Sequence, residues 1–194
     1  MHSSTAKLFY IVGASGSGKD SVLRSFKSLP PNREHPVIVA HRYITRTDTE
    51  NEQSLYLSND EFTLREQRGC FAMSWQANGH NYGIGSEIDL WLAAGCSVIV
   101  NGSRAYLPQA QQKYGTQLHS ILIKVSEQAL RQRLSDRARE STEEIEARLA
   151  RHRTLSDSVS CTSTIHNNHA LEQATEQLTE IIFNDHARPH ETSF

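Results

Sequence analysis

The stretch that decides the fold is GASGSGKDSV, residues 13–22. It satisfies the pattern G-x-x-x-x-G-K through Gly13, Gly18 and Lys19, and this pattern is typical of a phosphate-binding loop. The glycines allow a tight turn whose backbone N–H groups point inward at phosphate oxygens, and the lysine reaches the β and γ phosphates of a nucleotide. The alternative interpretation is a Gly-Ser turn that carries a solvated lysine.

The segments on either side favour the phosphate-binding interpretation. Residues 8–12 are a short apolar run typical of a buried strand, and residues 21–27 carry apolar side chains on one helical face. A strand before the loop and a helix after it are the context that the motif requires. The residues expected to bind ATP here are Gly13, Ala14, Ser15, Gly16, Ser17, Gly18, Lys19, Asp20 and Ser21, and Lys19 is also expected to be catalytic.

Asp20 stands where the simple motif has the Ser or Thr hydroxyl that coordinates Mg²⁺. Ser21 supplies a hydroxyl one position later. We therefore predict that Ser21 takes the role of the motif's hydroxyl and that Asp20 helps to hold Mg²⁺ or its waters. The alternative is that Asp20 is only a first-turn helix residue, whose charge is favoured there by about 0.3–1 kcal/mol.

The rest of the chain alternates short apolar runs with helical patterns. This alternation predicts an α/β protein of the P-loop NTPase fold, with a five-stranded parallel sheet covered by helices on both faces. Ligands in such folds bind at the carboxyl ends of the strands. The predicted strands are 8–12, 37–40, 97–100, 121–125 and 164–166, and the predicted helices are 21–27, 87–94, 107–114, 143–153 and 171–183, with one more after Ser126.

We expect one domain, residues 1–184, followed by a polar tail at 185–194. Residues 42–85 break the alternation and are predicted to form an inserted lobe that binds the acceptor. The formal net charge is −2, and no run of 18 apolar residues occurs, so neither a nucleic-acid partner nor a membrane partner is expected. The three cysteines are widely spaced and predict reduced thiols in a cytoplasmic protein. The sequence leaves the oligomeric state open.

Three further segments carry a resemblance to a known family: HRYITRT, SWQANGHNYGIG and RLSDRARESTEEIEARLARH. Together with the loop they resemble the guanylate kinase family over essentially the whole chain. The resemblance implies that Arg137 and Arg148, in and beside a lid at 136–143, contact the transferring phosphates. It also implies that Arg46 and Tyr82 bind the acceptor phosphate and that Asn167 lies near the adenine.

The chemistry of the family agrees with this assignment. A phosphate acceptor is already ionised, so the enzyme needs no general base and has to align two anions and neutralise the charge between them. Arginines suit that task because their guanidinium groups bind phosphates in a bidentate manner. The alternative for the lid arginines is an exposed helix with i,i+4 ion pairs such as Glu144–Arg148.

The chain departs from the family at the acceptor side. Arg42 stands where a guanylate kinase has a serine that reads guanine, Gln76 aligns with its base-reading glutamate, and Thr49 aligns with its second acceptor arginine. A site without that carboxylate loses most of its discrimination for guanine. We predict instead an acceptor with two phosphates, one on Arg46 and Tyr82 and the other on Arg42, helped by Arg104.

Four segments resemble one branch of the family, whose members transfer the γ-phosphate of ATP to a sugar bisphosphate: GKDS, SWQANG, YGIGSEIDLWL and VNGSRAYLPQA. The predicted function is therefore a Mg²⁺- and ATP-dependent kinase of a sugar bisphosphate. Two alternatives stay open, a nucleoside monophosphate kinase and a guanylate-kinase-like binding module that has lost catalysis.

Overall fold

The computed structural model describes residues 6–47, 54–137, 141–155 and 160–187. Within these ranges the chain forms nine strands and seven α-helices. The elements are, in order, β1 (Leu8–Gly13), α1 (Lys19–Lys27), β2 (Val37–Val39), β3 (Arg42–Ile44), β4 (Ser54–Tyr56), α2 (Asn59–Gln67), β5 (Phe71–Ala77), β6 (His80–Gly85), α3 (Glu87–Ala93), β7 (Ser97–Asn101), α4 (Leu107–Tyr114), β8 (Leu118–Lys124), α5 (Glu127–Arg137), α6 (Thr142–Leu155), β9 (Ser163–His166) and α7 (Leu171–Ala187).

Five strands form a sheet in the order β2-β7-β1-β8-β9. Every neighbouring pair in this sheet is parallel. Consecutive strands of the chain are not always neighbours in the sheet. The strands are parallel because a helical crossover returns the chain to the same end of the sheet before the next strand begins. The predicted five-stranded parallel sheet of a P-loop fold is confirmed, and the loop at 13–18 leaves its central strand.

Alternate side chains of β1 enter two separate hydrophobic clusters. Leu8, Tyr10 and Val12 pack in one cluster with residues of α3 and α4. Phe9 and Ile11 pack in the other with residues of α1 and α7. Successive side chains of a strand point to opposite faces of the sheet, so helices cover both faces and the carboxyl end of β1 is left for the loop.

Residues 42–85 contain a second sheet, with the strand order β4-β3-β6-β5, together with α2. Its strands were not predicted. Two of them, β3 and β4, are three residues long and too short to show a period. The β5–β6 hairpin is joined to the main core, since Ala72, Met73 and Ile84 belong to the same hydrophobic cluster as Leu8. That this region binds the acceptor stays a prediction.

The helices α5 and α6 begin at the caps that the sequence predicts. The backbone N–H of Ser141 donates to Glu144 Oε2 at 2.8 Å, and the N–H of Glu144 donates to Ser141 Oγ at 3.3 Å, which is a complete capping box. The hydroxyl oxygen of Ser126 accepts from Ala129 N at the start of α5. No helix in the described ranges is both long and apolar enough to cross a membrane.

The last helix runs to Ala187, past the apolar stripe that ends near Phe183 and into the predicted tail. Backbone hydrogen bonds continue through a polar turn without help from apolar side chains, so the stripe underestimates the length of the helix. Residues 188–194 of the predicted tail lie outside the described ranges.

Tyr10 anchors the turn after β7, which carries Arg104. Its hydroxyl donates to Ser103 O at 3.0 Å and accepts from Ser103 N at 2.9 Å. Gly102 permits this contact, because a Cβ at that residue would lie 2.1 Å from the ring of Tyr10. Burial raises the pKa of the Tyr10 hydroxyl, so it stays a neutral donor at physiological pH.

Tyr10→Phe should lower the free energy of unfolding by about 1–3 kcal/mol, because the N–H of Ser103 loses its acceptor in a half-buried turn and the carbonyl keeps, of its described donors, only the N–H of Tyr106. Urea denaturation followed by circular dichroism measures this. Tyr114→Phe is the matched control, since its hydroxyl donates to Asp89, which is exposed to water. Equal losses in the two variants would contradict the anchoring role of Tyr10.

Candidate active site

The loop between β1 and α1 requires glycine at three positions. Gly16 and Gly18 have φ angles of 83° and 90°, in the left-handed region that side chains disfavour. A Cβ on Gly18 would also lie 2.3 Å from Asn167 Nδ2, and one on Gly13 would lie 2.7 Å from Ile123 O. The loop is therefore pressed against the ends of β8 and β9, and other residues would push it away from the sheet.

The groups that line this loop are hydrogen-bond donors. No described side chain caps the N-terminus of α1, so the first-turn amides of the helix are left to bind an anion. The ammonium of Lys19 donates to Gly13 O at 2.9 Å and to Ala14 O at 3.0 Å. The lysine thus lies across the loop and is not simply solvated, and a phosphate oxygen can replace these carbonyl groups as its acceptor.

Asn167 holds the phosphate loop in place through its side-chain amide. Its side chain is 2% exposed, and its Nδ2 donates to Ser17 O at 2.8 Å. Its own backbone N–H donates to Lys124 O at 2.8 Å, which fixes it at the end of the parallel sheet. These contacts explain why asparagine is needed here, whereas its predicted position near the adenine stays a prediction.

Arg133, on α5, was not singled out in the sequence. Its Nη2 donates to Asn167 Oδ1 at 3.3 Å and to His169 O at 3.4 Å. Its Nη1 lies 3.7 Å from the point that a Cβ of Gly18 would occupy, so a guanidinium group stands beside the phosphate loop. The sequence does not distinguish it from Arg131, two residues earlier, which pairs with Glu146.

Asp20 meets two residues from other elements. Asn101, the last residue of β7, donates from Nδ2 to Asp20 Oδ1 at 2.7 Å. Arg42, the first residue of β3, has its Nη2 3.9 Å from the same oxygen. Asp20 therefore does more than begin a helix, since it joins the phosphate loop to the neighbouring strand and to the second sheet. The sequence does not single out Asn101, because its partner, Asp20, is 81 residues away.

An aromatic group extends from Arg42 across the second sheet. The Arg42 guanidinium lies over the ring of Tyr82, 5.4 Å from its centroid. The ring of Trp75 is almost parallel to that of Tyr82, with centroids 5.8 Å apart, and Tyr106 packs against Trp75 at 5.8 Å. Arg42 and Tyr82 are thus direct neighbours beside the loop. The two acceptor phosphates that they are predicted to bind would therefore have to lie close together.

The remaining acceptor-side candidates lie around this group. Arg46 follows β3 and is half-buried, as is Arg104, and burial lowers the pKa of Arg104. Gln76 donates from Nε2 to Asn81 Oδ1 at 3.5 Å, across the β5–β6 pair. Ser21 is half-buried in the first turn of α1.

Several predicted residues fall outside what the structure describes. Arg137 and Arg148 belong to α5 and α6, but their side chains are not among those described. Residues 138–140 of the predicted lid and Thr49 also lie outside the described residues. The roles assigned to these arginines stay predictions.

The fold and the loop together define a P-loop nucleotide-binding protein of the kinase type. The crystal structure of guanylate kinase from Anaplasma phagocytophilum is similar, with a TM-score of 0.70 over 95% of this chain and 88% of that one, at 14% identity. At that identity the likeness concerns the fold alone. It confirms the fold class that the sequence predicts.

Sequence comparisons bear on the family of this chain as well as on its fold. The guanylate kinase family profile matches residues 5–185. The protein named ribose 1,5-bisphosphate phosphokinase PhnN from Klebsiella pneumoniae is 45% identical, covering 94% of this chain and 95% of its own. The protein of the same name from Pectobacterium atrosepticum is 53% identical, covering 75% and 76%. The chain therefore belongs to the guanylate kinase family, and to its PhnN type. The predicted branch and the predicted class of enzyme, a phosphotransferase, are confirmed.

Lys19→Ala should lower kcat/KM by about 100- to 1,000-fold, because one fixed cation at the transferring phosphates is lost. Its Tm should change little, since water can reach the carbonyl groups of Gly13 and Ala14 once the side chain is removed. Steady-state kinetics and a thermal scan measure both quantities. Lys27→Ala, in the exposed last turn of the same helix, is the control and should keep normal activity. A near-normal rate for Lys19→Ala would refute its role.

Proposed function

We propose that this chain transfers the γ-phosphoryl group of ATP to the 1-phosphate of ribose 1,5-bisphosphate, giving 5-phosphoribosyl 1-diphosphate and ADP, in the breakdown of phosphonates. The observation that carries the proposal is the position of Arg42, beside Asp20 of the loop helix and over the ring of Tyr82. A guanidinium group at that point suits an anionic acceptor. The names of the relatives from Klebsiella and Pectobacterium support the same substrate.

The reaction needs alignment more than acid–base chemistry. An ionised oxygen of the acceptor phosphate attacks the γ-phosphorus, and the bond from that phosphorus to the β–γ bridging oxygen breaks, so that ADP leaves. The loop amides and Lys19 hold the phosphates of ATP, and Arg42, Arg46 and Tyr82 hold the acceptor. We assign Arg137 and Arg148 to the charge that develops between the two molecules.

The residues present fit a role for Mg²⁺, which would neutralise part of the charge on the phosphates of ATP. Mg²⁺ prefers oxygen ligands and keeps several of its waters. Asp20 offers a carboxylate whose side chain is 39% exposed, and Ser21 offers a hydroxyl on the next residue. We assign both residues to the ion or to its waters.

We place the enzyme in the cytoplasm, where ATP is available. The second candidate is a guanylate kinase, which the match of the family profile to residues 5–185 favours. Against it stands Gln76, whose amide nitrogen donates to Asn81. A neutral amide in place of a carboxylate leaves a donor of guanine unpaired, and sites built on such hydrogen bonds discriminate strongly.

Phosphorus NMR separates these functions. With ATP, Mg²⁺ and ribose 1,5-bisphosphate, we expect the resonances of a sugar diphosphate and of ADP to appear together. With GMP in place of the sugar, we expect turnover lower by about 1,000-fold or more, because the guanine-reading carboxylate is absent. Turnover of GMP alone would establish a guanylate kinase, and turnover of neither acceptor would leave a binding module.

Arg42→Ser should raise KM for the sugar bisphosphate by about 100-fold or more and change KM for ATP by less than about threefold, because a charged hydrogen bond to one substrate is lost. Initial rates with each substrate varied in turn measure both constants.

The matched control is Arg65→Ser. Arg65 belongs to the same region, lies over the ring of Tyr43 at 5.2 Å and pairs with Glu61, so it repeats the environment of Arg42 away from the loop. We expect normal KM values for it. Equal rises in both KM values of Arg42→Ser would contradict an acceptor-binding role.

A further inference from the structure

A small cavity lies where the phosphate loop meets the second sheet. Its polar wall comes from separate elements, with Asp20 on α1, Arg42 on β3, Ser54 on β4 and Asn101 on β7. Its volume is about 10 Å³, roughly the space that one water-sized group occupies. The cavity can therefore take one hydroxyl or one water, and not a whole substrate.

The proposed function uses neither Ser54 nor Asn101 of this wall, and Asn101 is the buried one of the two. It is 6% exposed, and its Nδ2 donates to Asp20 Oδ1 at 2.7 Å. Its Oδ1 is buried and accepts no hydrogen bond from any residue that the structure describes. Buried side-chain oxygens nearly always have a partner, so the orphaned oxygen indicates a donor that arrives with a ligand.

The amide also explains how Asp20 is oriented. A carboxylate at residue 101 would repel the carboxylate of Asp20, because the two like charges would lie at hydrogen-bond distance. The neutral amide instead donates to one oxygen of Asp20 and fixes its orientation. It holds that oxygen next to Arg42 as well, since both contacts are made to Oδ1.

We propose that Asn101 is a positioning residue for Asp20, and that the two residues together accept hydrogen bonds from an O–H donor that enters the cavity when substrate binds. The donor is either a water on Mg²⁺ or a hydroxyl of the acceptor sugar. This inference rests on the proposed function and adds to it the residue that orients Asp20.

The positioning role is tested by exchanging the two side chains. Asn101→Asp and Asp20→Asn should each lower kcat/KM by about tenfold or more, because each breaks the amide–carboxylate pair. In the double variant the amide and the carboxylate exchange places. Its kcat/KM should be about tenfold higher than that of the worse single variant, since the two residues act as a unit. A double variant no better than its worse parent would overturn the positioning role.

Thermal scans accompany the kinetics, because a merely structural defect would lower the Tm of the single variants. Recovery of kcat/KM in the double variant, with Tm values equal to that of the wild type, supports the positioning role.

Two binding measurements on Asn101→Ala identify the donor. Electron paramagnetic resonance gives the affinity of Mn²⁺ for the complex with ADP, and calorimetry in EDTA gives the affinity for ribose 1,5-bisphosphate without metal. A loss of about tenfold in the first indicates a metal-bound water, and the same loss in the second indicates a sugar hydroxyl. No change in either would overturn the O–H site.

Failure of this proposal is distinguishable from failure of the proposed function. If the wild-type enzyme converts ribose 1,5-bisphosphate but the exchange of side chains rescues nothing, only the positioning role fails. If the wild type converts GMP alone, the proposed substrate fails, and the exchange experiment then runs with GMP.

Discussion

The contact between the backbone of the phosphate loop and the ends of the parallel strands controls the rest of this structure. Gly13 and Gly18 lie so close to Ile123 O and to the amide of Asn167 that there is no space for a side chain. This closeness directs the loop amides and Lys19 towards one point. The strand β1 can support such a turn because its residues 8–12 are completely buried between two hydrophobic clusters.

The phosphate loop and the second sheet are linked through Asp20. Its carboxylate contacts Asn101 at the end of β7 and Arg42 at the start of β3. From Arg42 a stack of rings, Tyr82 and then Trp75, leads back to the core. Because Asp20 is more than one third exposed, water screens its pairing with Arg42, and the contact adds little stability. The contact instead fixes the position of the Arg42 guanidinium relative to the Asp20 carboxylate.

The α5–α6 pair meets the loop on its other side. Leu130, in the small hydrophobic cluster that these helices share, would be 2.7 Å from a Cβ on Gly16. Glu127 joins the helices by accepting from Arg153 Nε at 2.8 Å, an exposed pair that again contributes little free energy. The helix pair is therefore positioned mainly by apolar packing.

The sequence by itself determined the parallel sheet, the loop and the caps, because each depends on residues close together in the chain. The G-x-x-x-x-G-K spacing, the buried run before it and the box from Ser141 to Glu144 are local patterns of this kind. Only the tertiary structure decided that Asn101 holds Asp20, that Asn167 braces the loop and that Arg42 lies over Tyr82. These pairs join residues that are 40 to 150 positions apart, as the partners Asn167 and Ser17 illustrate. No local period encodes such a pair, since it exists only when the fold brings the elements that carry its members side by side.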